Sequence, residues 1–240
     1  MIGVFSKTTD SSIIEAIGFS NLDFVIIDQE HGNVDFTTTQ NHIRAATLTS
    51  LKPIVRVAEL NHNLIGKALD SGAFGIQVPN IETVSDAKRA IDSAKFHPLG
   101  NRGVCRFVRS AEYGSMDKKS YFEKSNQSFL ILQIEGEEGI KNLEEIIQLN
   151  GFDVLFIGPY DLSQSLGFPG EIDHPIVRET IVKIKDKCSS RNILMGSFAD
   201  TYDRVNWLVS LGFEYIAYSV DINIFLEACL KLRMDFKDEY

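Results

Sequence analysis

Cysteine is scarce: Cys105, Cys188 and Cys229 are the only three in 240 residues, odd in number and widely separated. That excludes a disulfide-stapled fold and any Cys-x-x-Cys zinc spacing, and reads as reduced thiols in the cytosol. Each also lacks a base close by in sequence, so none is singled out as a nucleophile. Proline is sparse, at six residues, and no Pro/Gly/Ser-rich stretch or shift in composition divides the chain. Residues 1–240 therefore read as one domain with one core. No apolar run is long enough to span a bilayer, and the opening MIGVFSKTTDSS has no signal-type apolar core, so a cytoplasmic protein is expected. Basic charge is outnumbered, with 24 Lys and Arg against 33 Asp and Glu and a net charge of -9. A nucleic-acid surface needs a basic stripe, and none is present. A small anion remains an open possibility, because a few arginines can hold one inside an acidic protein.

What the chain has in quantity is short apolar runs alternating with helix-period segments. Strands are expected at 4–6, 24–28, 53–57, 74–79, 129–135, 153–157, 193–196 and 215–220. Helices are expected at 12–17, 35–48, 64–69, 83–94, 143–149, 176–187, 202–211 and 224–232. The stretch 96–128 is the least periodic, rich in charge and glycine, and reads as a long βα loop carrying a short helix. Each strand is a continuous apolar run, as required where both faces of a parallel sheet are buried. Eight strand-plus-helix units close as a barrel or lie open and doubly wound. The open form often carries a GxGxxG turn after its first strand, and this sequence has none. The expected fold is α/β, a (β/α)8 TIM barrel.

In such a barrel the chemistry sits at the C-terminal ends of the strands. Strand two ends in Asp28-Gln29-Glu30-His31, strand three carries Arg56, strand five carries Gln133 and Glu135, and strand six runs into Gly158-Pro159-Tyr160-Asp161. Glu135 and Asp161, from neighbouring strands, suit a hard divalent cation whose shell water and substrate oxygens complete. Each has a plainer reading as a helix-terminus acid. Gln133 lies two residues before Glu135 and so faces the same side. His31 is a general-base candidate or an ordinary loop histidine. Arg56 either meets a substrate carboxylate or enolate, or forms a salt bridge to Glu30 or Glu135. The segment Gly100–Arg109 is basic and either binds the distal, anionic end of a substrate or makes subunit contacts. No lysine is read at a strand end, which leaves no Schiff-base candidate.

Six collinear motifs then carry a resemblance: Asp28-Gln29-Glu30-His31-Gly32, Pro53-Ile54-Val55-Arg56-Val57, Val78-Pro79, Asn101-Arg102-Gly103-Val104, Gln133-Ile134-Glu135 and Gly158-Pro159-Tyr160-Asp161-Leu162-Ser163. Together they resemble the HpcH/HpaI aldolase family, the metal-dependent (class II) pyruvate aldolases, across nearly the whole chain. The resemblance implies a barrel of the phosphoenolpyruvate/pyruvate type. It implies a carbon–carbon lyase that cleaves or forms a 4-hydroxy-2-oxo acid from pyruvate and an aldehyde, through an enolate stabilised by a divalent cation (magnesium, manganese or cobalt). Glu135 and Asp161 match the metal ligands, His31 the catalytic histidine and Arg56 the arginine on the 2-oxo oxygen. Asp70 matches an aspartate paired with that histidine. Gln133 and the backbone of Tyr160 and Asp161 match substrate-contacting positions. Cys105-Arg106-Phe107 replaces a run of small residues lining the aldehyde pocket, which leaves the aldehyde undefined. A 2-oxo acid decarboxylase or condensing lyase on the same site is the alternative, and a non-catalytic binding barrel a remoter one. The resemblance further implies a homo-oligomer, dimer to hexamer, exchanging the helix at 224–232.

Overall fold

The computed structural model describes residues 1–189, 191 and 193–236. Eight parallel strands close into a barrel in sequence order. They are β1 (Ile2–Ser6), β2 (Phe24–Asp28), β3 (Lys52–Arg56), β4 (Gly75–Val78), β5 (Phe129–Ile134), β6 (Val154–Ile157), β7 (Leu194–Ala199) and β8 (Tyr215–Val220). The helices are α1 (Ser11–Phe19), α2 (Phe36–Ala46), α3 (His62–Asp70), α4 (Val84–Ala94), α5 (Lys118–Asn126), α6 (Glu137–Lys141), α7 (Leu143–Ile146), α8 (Pro159–Ser165), α9 (Pro175–Cys188), α10 (Tyr202–Ser210) and α11 (Asp221–Asp235). All eight expected strands are present, with ends moved by a few residues. Caps set several helix starts: Asp35 accepts from Thr38 N before α2, and Thr83 and Asp86 form a reciprocal capping box before α4.

Period-two alternation divides the apolar runs between two layers. In β2, Val25 and Ile27 pack outward against the helices, whereas Phe24 and Ile26 fill the barrel. The interior is closed by aromatic packing: Phe24 stacks on Tyr215 at 4.0 Å between ring centres, and Phe156 meets both Tyr215 and Phe5 edge-on. Above this plug the same inward alternation delivers polar residues: Asp28 after Ile26, Arg56 after Ile54, and Gln133 after Ile131. The barrel is thus a cup whose floor is aromatic and whose rim is charged.

Two expectations need correction. The segment 96–128 is not a βα loop. It joins α4 to β5 and so lies at the N-terminal end of the barrel, away from the rim, because α4 runs back antiparallel to the strands. It contains a 3₁₀ turn, Arg109–Gly114, in which Glu112 and Tyr113 hold positive φ, and then α5. The last helix starts at Asp221 rather than 224, and among its described residues only Asp221 is buried.

Candidate active site

Four strand ends converge on a cavity of about 330 Å³ at the C-terminal mouth, lined by His31, Arg56, Gln133, Glu135, Tyr160 and Asp161 together with Lys7 and an apolar wall that includes Phe5, Phe156 and Phe198. Six of the seven sequence-selected residues therefore share one chamber.

Arg56 is the most constrained of them. Its Nε and Nη2 donate to Asp28 Oδ1 and Oδ2 at 2.9 and 2.8 Å, and Nη1 lies 2.8 Å from Glu30 Oε2. The guanidinium also sits over the Phe5 ring, 4.7 Å from its centre. The salt-bridge alternative is thus met by Asp28 and Glu30, and not by Glu135. The ring of charge perturbs both partners. Burial is the largest influence on Asp28 and acts to raise it, but the hydrogen bonds and charge of Arg56, joined by the His31 N–H and the Lys7 charge, together outweigh it and hold the carboxyl below its usual range. Burial raises Glu30, and there Arg56 does not compensate.

Glu135 caps no helix: α6 starts at Glu137 behind Gly136 without a side-chain cap. It is 5% exposed, accepts from the Asn80 backbone N–H at 2.9 Å and from Gln133 Nε2 at 2.5 Å, and is pushed by burial to a pKa of about 7. Those hydrogen bonds oppose the shift, and the charges of Glu30 and Asp161 add to it. Behind Gln133, the buried amide of Gln77 donates to its Oε1, so a chain of two amides orients the carboxylate. Gly158 supplies the room, since a Cβ there would come within 2.4 Å of Glu135 Oε2. Asn80 holds φ at 55°, a conformation asparagine tolerates, and that turn aims its N–H at Glu135. Asp161 is exposed on the first turn of α8, whose cap is Gly158. No side chain caps that helix, so the N-cap reading of Asp161 is not met.

His31 lines the rim, its side chain 56% exposed, with Nε2 3.9 Å from Glu30 Oε2. Tyr160 donates to Asp200 Oδ2 at 2.7 Å, and burial together with that bond pushes its phenol to about 12. Asp70 is the exception among the sequence-selected residues. It ends α3 at the opposite end of the barrel and pairs with Arg102 at 2.5 Å, so within the chain it does not pair with His31. The reason is topological, since α3 runs away from the mouth. The same topology removes Cys105-Arg106-Phe107 from the cavity: Arg106 donates to the Gly114 and Met116 carbonyls, and Phe107 is 80% exposed.

Sequence reading passed over Lys7, Gln77, Asn80 and Gly158. Lys7 contradicts the reading that no lysine occupies a strand end, because it directly follows β1 and lines the cavity. Lys7 is two residues beyond Phe5 and shares its face, an alternation that the weak sequence signal of β1 conceals. Gln77, a lone amide in the run Gly75-Ile76-Gln77-Val78, was detectable.

No three His, Cys, Asp or Glu side chains gather as a closed metal cage among the described residues. The fit is of a different kind. Glu135 is a buried carboxylate with two neutral donors and no cationic partner among the described residues, next to a solvent-open Asp161, and such a pair leaves room for water and substrate oxygens. In the same residues no helix is long and apolar enough to cross a membrane.

Comparison with known proteins identifies relatives along nearly the whole chain. Residues 1–228 match the family model described as HpcH/HpaI aldolase/citrate lyase. The chain is 31% identical over 237 residues to 2-dehydro-3,6-dideoxy-6-sulfogluconate aldolase of Pseudomonas putida, covering 98% of this chain and 92% of that protein. It is likewise 31% identical, with the same coverage, to 5-keto-4-deoxy-D-glucarate aldolase of Escherichia coli O157:H7. Among solved structures, an HpcH/HpaI aldolase/citrate lyase family protein from Burkholderia cenocepacia J2315 superposes with a TM-score of 0.93 at 30% identity, over 99% of this chain and 94% of that one. With its barrel, its rim of carboxylates around one arginine and full-length relatives that are aldolases, the chain belongs to the HpcH/HpaI aldolase/citrate lyase family and is a carbon–carbon lyase.

Proposed function

We infer that residues 1–240 form one aldolase domain that cleaves, or forms, a 4-hydroxy-2-oxo acid from pyruvate and an aldehyde. The observation that carries this reading is Glu135: a carboxylate buried beside Asp161, oriented by Gln133 and Asn80, with no Lys, Arg or His side chain paired to it among the described residues. Glu135 and Asp161 would hold a divalent cation, with magnesium, manganese and cobalt as candidates. When bound, that cation supplies a Lewis acid for the 2-oxo group.

The chain's own residues supply the rest. The uncapped N–H groups of Tyr160 and Asp161 at the start of α8 would receive the pyruvate carboxylate. Arg56, already fixed by Asp28 and Glu30, presents its charge to the cavity where negative charge develops on the 2-oxo oxygen as the C3–C4 bond breaks. Because its geometry is set beforehand, little reorganisation accompanies the reaction. His31 at the rim takes the proton of the 4-hydroxyl as the aldehyde forms, and Glu30 beside it stabilises the imidazolium. The pyruvate enolate then takes at C3 the proton that His31 removed, directly or through a water, which returns the imidazole to its neutral form. In synthesis the same groups act in reverse.

Two further parts of the reading concern context. The exposed apolar side chains of α11, including Ile222, Phe225, Leu226 and Leu230, support a homo-oligomer in which this helix packs on another copy. The three free cysteines support a reducing compartment, the cytoplasm.

The test is pyruvate release from a panel of 4-hydroxy-2-oxo acids with each cation, before and after chelation. Cation-dependent release lost in Glu135→Ala supports the aldolase. Pyruvate from oxaloacetate alone, with no release from the panel, transfers the site to a decarboxylase.

A further inference from the structure

The alternation that turns Phe5 into the barrel carries Lys7 into the mouth cavity. Its root is fixed with unusual thoroughness. The Ser6 hydroxyl and the backbone N–H groups of Lys7 and Thr8 all donate to the Asp221 carboxylate, at 2.6, 3.1 and 3.2 Å. The ammonium itself is not so engaged. Its nearest carboxylate oxygen is Asp28 Oδ2 at 3.9 Å, beyond hydrogen-bond reach, and no hydrogen bond is made by Nζ among the described residues. Asp28 is in any case already occupied by Arg56 and by the N–H groups of Glu30 and His31. The Lys7 side chain is only 30% exposed, so a strongly hydrated cation with three donors has given up much of its water without a close partner.

The position of that cation in the cup matters. In an eight-stranded barrel closed in sequence order β1 stands opposite β5, so Lys7 faces Glu135 across the mouth. It shares Asp28 as a neighbour with His31, which places it on the histidine's side of the cavity. In the cleavage described above the 2-oxo end lies towards Glu135 and the 4-hydroxyl towards His31. The carbons beyond C4, which leave as the aldehyde, therefore extend towards Lys7, along the apolar wall of Phe198 and Val220.

We propose that Lys7 is a specificity-determining residue that holds an anionic group, carboxylate or phosphate, at the distal end of the aldehyde half of the substrate. This assignment rests on the aldolase reading. The basic segment Gly100–Arg109, a sequence-level candidate for the same task, lies at the other end of the barrel within the chain, whereas Lys7 is in the chamber.

The experiment measures condensation of pyruvate by the full-length, cation-loaded enzyme with two matched pairs: succinic semialdehyde against butanal, and glyceraldehyde 3-phosphate against glyceraldehyde. The wild type should favour the anionic member of at least one pair by about tenfold or more in kcat/KM, as a charge-assisted hydrogen bond provides. Which pair shows the preference separates carboxylate from phosphate. Lys7→Met should bring that ratio close to one, chiefly through KM for the aldehyde, and Lys7→Arg should retain most of it. A merely structural role would lower both members of a pair equally, and that result overturns the assignment. So does a rise in KM for pyruvate with a neutral aldehyde, which would seat the ammonium on the wrong half of the substrate. A pyruvate-sized mass gain on Lys7 after borohydride reduction overturns it too, by making the lysine covalent. Deuterium exchange at C3 of pyruvate keeps the two readings apart. Exchange without any preference for an anion removes the role of Lys7 and leaves the aldolase standing, whereas no exchange with any cation removes both.

Discussion

Replacing Glu135 by glutamine should stabilise the cation-free protein, by an amount that grows as pH rises from about 4.5 and levels off above about 7. The carboxyl ordinarily titrates at 4.5 and is raised by burial to about 7 in the folded chain. A raised acid makes the folded state bind more protons than the unfolded one across that interval, so stability is fully present below 4.5 and declines as pH rises to about 7. Above 7 the carboxylate is charged in both states and the loss is complete. At about 1.4 kcal/mol per pH unit, the penalty at about pH 8 is on the order of 3 kcal/mol. Glutamine keeps an acceptor for the Asn80 N–H but carries no charge. The stability difference between Glu135→Gln and wild type should therefore grow from a baseline near pH 4.5 to about 3 kcal/mol above that baseline at pH 8. In a chain of this length that is a gain of roughly 6–12 °C in Tm. Glu30 is also raised and is present in both proteins, so only its coupling to Glu135 remains in the difference. The assay is urea or thermal unfolding of chelator-treated protein from about pH 5 to 9. A divalent cation added at pH 8 should raise the wild-type Tm and leave the glutamine variant where it was. A difference between the two proteins that is flat with pH would refute the claim that Glu135 is held as a high-pKa acid.

Three other outcomes follow from the same geometry. Arg56→Lys loses the paired contact with Asp28 and the reach to Glu30, so kcat/KM for pyruvate release should fall by about 10²–10³-fold in steady-state assays. Gly158→Ala places a methyl against Glu135 and should weaken cation binding by at least about tenfold in calorimetry, at a folding cost of about 1–3 kcal/mol. Phe225→Asp, on the exposed face of α11, should shift the protein to smaller species in size-exclusion chromatography with its circular dichroism unchanged.

The barrel was legible in the sequence because buried parallel strands announce themselves as continuous apolar runs, and the first polar residue after each run marks the mouth. Asp28, Arg56 and Gln133 all stand at such breaks, and Glu135 follows Gln133 by two residues. The amide chain behind Glu135 was less visible, because Gln77 interrupts a four-residue strand by itself and its partner is 56 residues away. Within the chain, Asp70 and the segment around Arg106 lie away from the cavity for a different reason. Motif order along a chain does not say which end of a helix points at the mouth, and both follow helices that run back to the barrel's floor. Lys7 was hidden by the weakness of β1 as a sequence signal, which obscured the alternation from Phe5.

The aromatic floor of the cup also bears on the order of events in turnover. Phe24, Phe156 and Tyr215 close the barrel beneath the cavity, so nothing passes through it. A chamber with one door empties in the reverse of the order in which it fills. In the proposed aldolase reaction, pyruvate seated deep against Glu135 would be trapped behind the aldehyde at the rim. Under that proposal cleavage would release aldehyde first and pyruvate second, and synthesis would load pyruvate before aldehyde. Product inhibition has to carry that asymmetry: pyruvate competes with the 4-hydroxy-2-oxo acid for the empty enzyme, and the aldehyde does not.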